Sequence, residues 1–534
     1  MLSDLEVLAI DCQATAASPR GYLIEIGWVR VGATAVPARA RLIRVPARER
    51  IPPAVVRITG ISDRMMQDAV DGSAAWLELS KDAASLTKQP APTVIHFARF
   101  EQPFLRALAG GTPPLDIVCT HDIARRLLPD LPRRSLRALT GYFGRAVGAL
   151  RRSADHVEAT AFVWRQLMPL LEAEGVSTWG ALHEWLAAPA DCARRARRVW
   201  PMPRDTRLAV PDAPGVYRML RTSGDVLYVG KASSLHHRVN SYFRKQSRVH
   251  ERMLEMLSQA RAIAFETTPS ALEAALLECD EIKRLRPPYN IALTGEDRDL
   301  WFTARDLGER RRRPTPRCPL GPFPSAEVLD QFAALADGNR AALANGRWGP
   351  DPAVFEAGYA RLCAAHPELS HCGLSPRARL LRLGTRLWRE GRRDRDDDEE
   401  VTAWTPEQVQ TWLEWLALRA ALARRRARWF TRLLDASVVW TEPGATDARL
   451  LVIENGEIVA RSAANDQRTP PIPPGYQRPI AARREAFTLA RFDRLRVLTT
   501  EFKRVVAEHA PVAIRFGAGP PLVDERLARA LSRV

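Results

Sequence analysis

Long apolar runs are missing from this sequence. No stretch of about 18 consecutive apolar residues occurs, so no membrane-spanning helix is expected. Cysteine is scarce: seven residues, odd in number and scattered, make no disulfide framework and fit a reducing cytoplasm. The chain opens almost directly on the strand-like "LEVLAID", without the basic head, apolar body and cleavage site of a secretory signal, so a cytoplasmic location is expected. Acidic side chains are too few to balance the basic ones. With 62 Asp and Glu against 79 Lys and Arg, the formal net charge is +17, and the pI is near 10.2. That excess argues for a polyanionic partner, nucleic acid first, but separates neither DNA from RNA nor an enzyme from a binder. What is present is ample: 534 residues, 46% of them apolar, support two to four domains with a core each. No internal repeat is seen.

Along the chain, "LEVLAID", "YLIEIGWVRV" and "TVIHFA" read as strands, followed by helices through "SLRALTGYF" and "HVEATAFVWRQLMPLLEAE". This is an α/β domain over residues 1–187. Residues 188–209, rich in Pro and Arg, read as a basic linker. In residues 210–296, "GVYRML" and "DVLYVG" flank the turn-forming "RTSGD" as a hairpin, and Ser270 with Glu273 forms a capping box. Residues 297–534 begin with the basic "GERRRRPTPR", continue helical to about 432, and then turn strand-like around Asn455-Gly456, a good two-residue hairpin turn. The charge run "RRDRDDDEE" reads as an exposed loop.

The corner "DVLYVGKASSLHHRVNSYF" carries the chemistry. A strand that only packs a core gains nothing from bringing Tyr228, Lys231 and Arg238 together where it meets a helix. The half-motifs "GVY" and "YVG" resemble the GIY-YIG nuclease family. The fuller match "PGVY…LYVGKASSLHHRVNSYF…ALEAALLECDEIKRLRPPYNIAL" resembles the N-terminal nuclease of the UvrC-type excinucleases over about 80 residues. The resemblance implies phosphodiester hydrolysis with one divalent metal, Mg²⁺ or Mn²⁺, held by Glu278. Arg238 would steady charge on the phosphate, and Tyr217 or Tyr228 would position or deprotonate the water. A phenol is a poor base near neutrality, so a cation such as Lys231 is expected to lower its pKa. Asn290 matches the polar residue beside the phosphate. His236 and His237 fall outside the pattern and are expected at a DNA groove or in solvent.

The first domain, through "VLAIDCQATAAS", "VIHFARFEQPFL" and "RRSADHVEATA", resembles the DEDDh exonucleases with the fold of the polymerase proofreading subunit (DnaQ-like). Those enzymes bind two metals with four carboxylates and activate water with a histidine. Here Asp11 matches the first acid. Gln13 replaces a glutamate, Glu101 an aspartate, Arg151 the histidine and His156 the last aspartate. Asp155 would serve only after a one-residue shift of helix register, a rotation of about 100°. A degenerate exonuclease fold, kept for DNA or partner binding, is therefore expected. Cys363, His366, His371 and Cys372 are too crowded to read as a metal cluster and are taken as ordinary thiols and imidazoles.

The expected architecture is multidomain α/β: an RNase H-like (DnaQ-type) fold, a small α/β GIY-YIG domain and a mostly helical C-terminal region with a β-hairpin. No second, RNase H-like nuclease is visible, so one incision per encounter is expected. The expected function is metal-dependent incision of one strand of damaged or distorted DNA, of the nucleotide-excision and SOS-response type, with a UvrB-like damage-recognition complex as a partner. Two other readings stand beside it: an active 3′–5′ exonuclease with accessory nicking, and a non-catalytic repair scaffold.

Overall fold

The computed structural model describes the chain except for residues 19, 35, 47, 147, 149, 190–198, 245–249, 296–298, 340–342, 344–349, 371–372, 393–403, 465–468, 475–486 and 533–534. Most of the charge run, much of the linker, and His371 and Cys372 thus lie outside the described residues. The chain divides into two compact units, Met1–Thr267 with Leu285–Asn290, and Thr268–Arg284 with Ile291–Val534. The division cuts across residues 210–296. No helix among the described residues is long and apolar enough to cross a membrane.

The first unit begins with strands β1 (Val7–Ala14), β2 (Leu23–Val31), β3 (Arg39–Leu42), β4 (Ala91–Ile95) and β5 (Leu115–Cys119). They form one sheet in the order β3-β2-β1-β4-β5. β1 to β3 are antiparallel neighbours, and β4 and β5 run parallel to β1. The helices are α1 (Pro53–Thr59), α2 (Gly72–Ala84), α3 (Ala98–Ala109), α4 (Thr120–Leu127), α5 (Leu136–Tyr142), α6 (Ser153–Ala173) and α7 (Trp179–Ala187). Strand alternation sorts β1 into two faces. Val7 and Ala9 pack with Val157, Trp164 and Leu167 of α6. Leu8, Ile10 and Cys12 pack with Leu79 of α2 and Phe104 of α3. Asp11 therefore falls on the face that meets α6.

The start of α6 is fixed tightly. Glu25 is wholly buried; it accepts from the Ser153 backbone N–H at 2.8 Å and pairs with the Arg152 guanidinium, placing a carboxylate at the helix N-terminus. Gly27 lies opposite Asp11 in the ladder, and a Cβ there would sit 2.7 Å from the Ser153 Cβ. The bare backbone is what lets the first turn of α6 settle over β2.

After α8 (Arg204–Leu208), β6 (Gly215–Leu220), β7 (Val226–Ala232) and β8 (Ala262–Thr267) make an antiparallel sheet in the order β7-β6-β8, with α9 (Leu235–Ser241) and α10 (Glu251–Leu257) beside it. The expected β6–β7 hairpin is present, with Gly224 at φ 86° in its turn. The two folds of this unit meet at a polar seam. Arg137 of α5 stacks on the Tyr289 ring at 4.6 Å. Glu255 of α10 accepts from Ser135 and from Tyr289, both at 2.7 Å.

In the second unit, α11 (Ala271–Leu285) starts where Ser270 Oγ accepts from the Glu273 backbone N–H at 3.1 Å, as the capping box predicts. Its Leu272 and Leu276 enter a core with Trp440, Leu451 and Phe492, which is why the helix groups with this unit. A small sheet, β9 (Trp301–Thr303), β10 (Arg310–Arg311) and β11 (Leu320–Phe323), precedes α12 (Glu327–Ala336), α13 (Pro352–Ala365), α14 (Pro376–Arg389) and α15 (Pro406–Leu433). The chain closes with β12 (Ala436–Thr441), β13 (Ala448–Glu454), β14 (Glu457–Ala463), α16 (Leu489–Ala507), β15 (Val512–Phe516), β16 (Leu522–Val523) and α17 (Asp524–Leu531). Asn455-Gly456 does turn β13 into β14, at φ 49° and 76°. That hairpin is part of a five-stranded sheet, β14-β13-β12-β15-β16. Its order echoes the first sheet, but β15 runs antiparallel to β12 where β4 runs parallel to β1.

Gly27→Ala is expected to lower stability by about 1–3 kcal/mol, the usual cost of overpacking, because the Ser153 backbone has no room to withdraw. A chemical-denaturation midpoint equal to that of the parent would contradict this.

Candidate active site

Tyr217 lies in the middle of β6 and is completely buried. Its hydroxyl is 2.6 Å from that of Tyr242, at the end of α9. Tyr228 on β7 completes a triangle of rings, with centroids 6.1 Å (Tyr217–Tyr228), 6.1 Å (Tyr217–Tyr242) and 6.5 Å (Tyr228–Tyr242) apart. The second motif glycine explains itself here. A Cβ on Gly230 would lie 2.4 Å from the Tyr217 hydroxyl and 2.8 Å from the Tyr228 ring. Only glycine lets a cross-strand phenol reach over β7.

Ser234 caps α9, accepting from the His237 backbone N–H at 3.2 Å, and this sets the helix phase. Arg238 and Tyr242, four residues apart, then share a face. The guanidinium of Arg238 stands 5.1 Å over the Tyr242 ring. The motif pattern does not single out Tyr242. Its i, i+4 spacing from Arg238 is the signal in the sequence that points to it.

Electrostatics correct one expectation. The Tyr217 phenol is pushed well above its ordinary pKa, first by burial and then by Tyr242 and Tyr228, with Arg238 opposing. Partial burial works against the charge of Arg238, yet the phenols around it raise its pKa, so it stays a cation. The rise, rather than a fall, at Tyr217 follows from its lack of contact with water. The Asn290 amide donates to the Val229 carbonyl at 2.9 Å and accepts from the Val229 N–H at 3.0 Å, so it completes the edge of β7 like an added strand residue. Lys231 is half-buried at the end of β7. His236 Nδ1 lies 3.0 Å from the Val210 carbonyl, and exposed His237 lies 3.9 Å from Asp212. Glu278 is half-buried on α11, in the second unit.

The exonuclease-type site is knitted shut. Gln13 donates to Asp11 Oδ2 at 2.9 Å, and His156 meets Asp11 Oδ1 at 3.0 Å, so both oxygens of the matching acid are engaged. Glu101 is buried; burial first, then the charge of Asp11, drives its pKa well up, so its charged form is disfavoured. Arg151 is exposed ahead of α6. Asp155 accepts from the Arg152 N–H at 3.1 Å as a helix cap and takes no part in the site. Asp11 with both oxygens engaged, and a Glu101 whose anion is disfavoured, do not fit two hard divalent cations. No group of three or more His, Cys, Asp or Glu among the described residues could hold a metal ion. His366 is likewise occupied, 2.9 Å from Glu414.

Residues 213–291 match the family model described as a UvrC-like GIY-YIG domain. The segment is a UvrC-like GIY-YIG domain. Residues 8–149 match the model described as Exonuclease, so an exonuclease-type fold precedes the GIY-YIG domain in the chain. A Mycobacterium tuberculosis protein, provisionally named a bifunctional exonuclease/endonuclease, is 32% identical over 345 residues, 62% of this chain and 51% of that one. The UvrABC system protein C of Sphingopyxis alaskensis is 43% identical over 127 residues, 22% of this chain and 19% of that one. The chain thus spans about half or less of these relatives. The N-terminal endonuclease domain of UvrC from Thermotoga maritima, solved with magnesium as its catalytic divalent cation, is 33% identical; the match covers 16% of this chain and 94% of that one, with a TM-score of 0.15.

The His156 imidazole titrates above its ordinary 6.5: burial opposes its charge, but the hydrogen bond and charge of Asp11 outweigh it. A raised folded-state pKa gives stability that is fully present below about 6.5 and is lost as pH rises through the higher folded value. The stability gap between the parent and His156→Gln, about 1–3 kcal/mol for a charged hydrogen bond, should therefore narrow from about pH 6 to about pH 8.5. Denaturation curves at the two pH values check this, and a widening gap contradicts it.

Proposed function

We propose that the chain is a DNA repair endonuclease that makes a single-strand incision in damaged or distorted DNA through its GIY-YIG domain, with the exonuclease-type domain as a DNA- or partner-binding module. The observation that carries the reading is the buried phenol triangle with Arg238 at its rim. Hydrolysis of a phosphodiester needs an oriented water, neutralised phosphoryl oxygens and a stabilised leaving oxygen. Arg238 is exposed at the corner, charged, and able to take two phosphoryl oxygens in its fork. Tyr217, closed to water, and Tyr242 hold each other through their hydroxyls, which fixes the Tyr242 oxygen beside Arg238. Tyr228, half-buried, is the more accessible phenol. Asn290 is a positioning residue that holds Val229, and with it the strand carrying Tyr228 and Lys231.

Glu278 lies inside the matched segment and is the proposed carboxylate for a divalent cation, Mg²⁺ or Mn²⁺. A lone carboxylate suits Mg²⁺, which keeps most of its waters and accepts substrate phosphate oxygens. When bound, the cation supplies positive charge that lowers the proton affinity of water and phenol and offsets that of the phosphate. The UvrABC naming of the relatives supports a UvrB-like loading partner and an excision-repair setting in the bacterial cytoplasm.

Supercoiled plasmid in Mg²⁺ is expected to be nicked by the parent, with losses of about 10²-fold or more in Arg238→Ala and Glu278→Ala. Tyr242→Phe should lose less. Unchanged nicking in both alanine variants would remove the site from this corner. The parent should not shorten 3′-labelled single strands; metal-dependent shortening abolished by Asp11→Ala would favour an active exonuclease instead.

A further inference from the structure

The second unit carries a feature that neither nuclease domain accounts for. Arginines recur along α14 at positions 382, 386 and 389, and along α15 at 424, 428 and 432, each set on one helical face. Arginine on a helix is ordinarily solvated surface. These two stripes instead line one cleft. Two adjoining hollows of about 740 and 430 Å³ share Thr385, Arg389 and Arg424, with Arg305 and Arg382 at one end and Arg428 and Arg432 at the other. Against this stand two acidic residues, Asp306 and Glu368, and Glu368 is taken by Arg386 at 2.6 Å.

The arginines are braced from behind. Arg424 donates to the Arg305 carbonyl at 2.8 Å. Arg425 stacks on Trp388 at 4.1 Å and Arg432 on Phe516 at 4.1 Å. Arg382, Arg389 and Arg428 are exposed and take no acidic partner among the described residues. Burial first, and then the charge of Arg428, lowers the proton affinity of Arg424 despite Asp306 nearby. Like charges held this close repel, and a polyanion in the cleft relieves the repulsion.

We propose that the cleft between α14 and α15 is a binding groove for the sugar-phosphate backbone of nucleic acid, separate from the GIY-YIG corner. Four residues of helix advance about 6 Å, so each stripe presents guanidinium forks at regular intervals along the groove, in the manner of a backbone track and not of base-edge readout. The inference does not depend on the nuclease reading.

The test is fluorescence anisotropy of labelled oligonucleotides with the full chain, without divalent cation, over a range of salt. The triple variant Arg382→Gln, Arg389→Gln, Arg428→Gln should bind about tenfold or more weakly. Its log–log salt slope should be shallower by about 2–3, at about 0.9 per lost contact on duplex and about 0.7 on single strand. Arg313→Gln, Arg461→Gln, Arg526→Gln removes the same charge from exposed positions outside the cleft and should change affinity little. The matching lysine triple should keep most of the slope and shows that the fold survives. Equal loss in the control triple, an unchanged slope in the groove triple, or loss of polyglutamate binding with nucleic-acid binding intact would overturn the proposal. Two readouts separate the readings: failure of the groove appears as an unchanged salt slope in the groove triple without divalent cation, whereas failure of the nuclease reading appears as unchanged nicking turnover in Arg238→Ala at saturating DNA.

Discussion

A tyrosine hydroxyl crossing bare backbone is the constraint on which the GIY-YIG corner depends. Tyr217 is fully buried, and its oxygen passes where a Cβ on Gly230 would stand 2.4 Å away. Because the neighbouring strand offers no side chain there, the phenol can reach Tyr242 and bring α9 down on the sheet. Arg238 then sits one helical turn from Tyr242 with its charge at the rim. The motif spacing is thus a packing rule as much as a chemical one. The glycine opens the path, the serine cap sets the helix, and the arginine is presented as a result.

The exonuclease-type fold retains the scaffold of a metal enzyme while its polar residues satisfy one another. Where a two-metal site needs several carboxylates repelling each other until cations arrive, Asp11 here has Gln13 on one oxygen and His156 on the other. Burial and the nearby charge of Asp11 disfavour the anion of Glu101. What the fold still provides is a surface: Arg137 stacks on Tyr289, whose chain neighbour Asn290 clamps Val229 beside Tyr228. A run of contacts therefore leads from the exonuclease-type domain to the strand that carries the nuclease motif.

The second unit redistributes the elements in a way composition could not show. α11 reads in sequence as the closing helix of the nuclease domain, yet Leu272 and Leu276 bury themselves with Trp440 and Phe492. Arg494 and Arg449 from the same unit pair with its Asp280 and Glu273. Arginines of α14 and α15 are likewise gathered, where the two helices lie side by side, along one cleft.

The sequence alone determined the two nuclease-type folds, the β6–β7 hairpin, the capping box at Ser270, the turn at Asn455-Gly456, and the charge losses at Gln13, Arg151 and His156. These rest on local rules: strand alternation, turn chemistry, and residue identity at a motif position. Tertiary structure decided the rest. Tyr242 joined the site, Asn290 turned to the backbone, Tyr217 gained rather than lost proton affinity, and His156 became the partner of Asp11. Each of those outcomes depends on which side chains meet across elements distant in sequence, and on how much water they exclude when they do. Desolvation and close approach exist only once the chain has packed, so no reading of one residue at a time contains them.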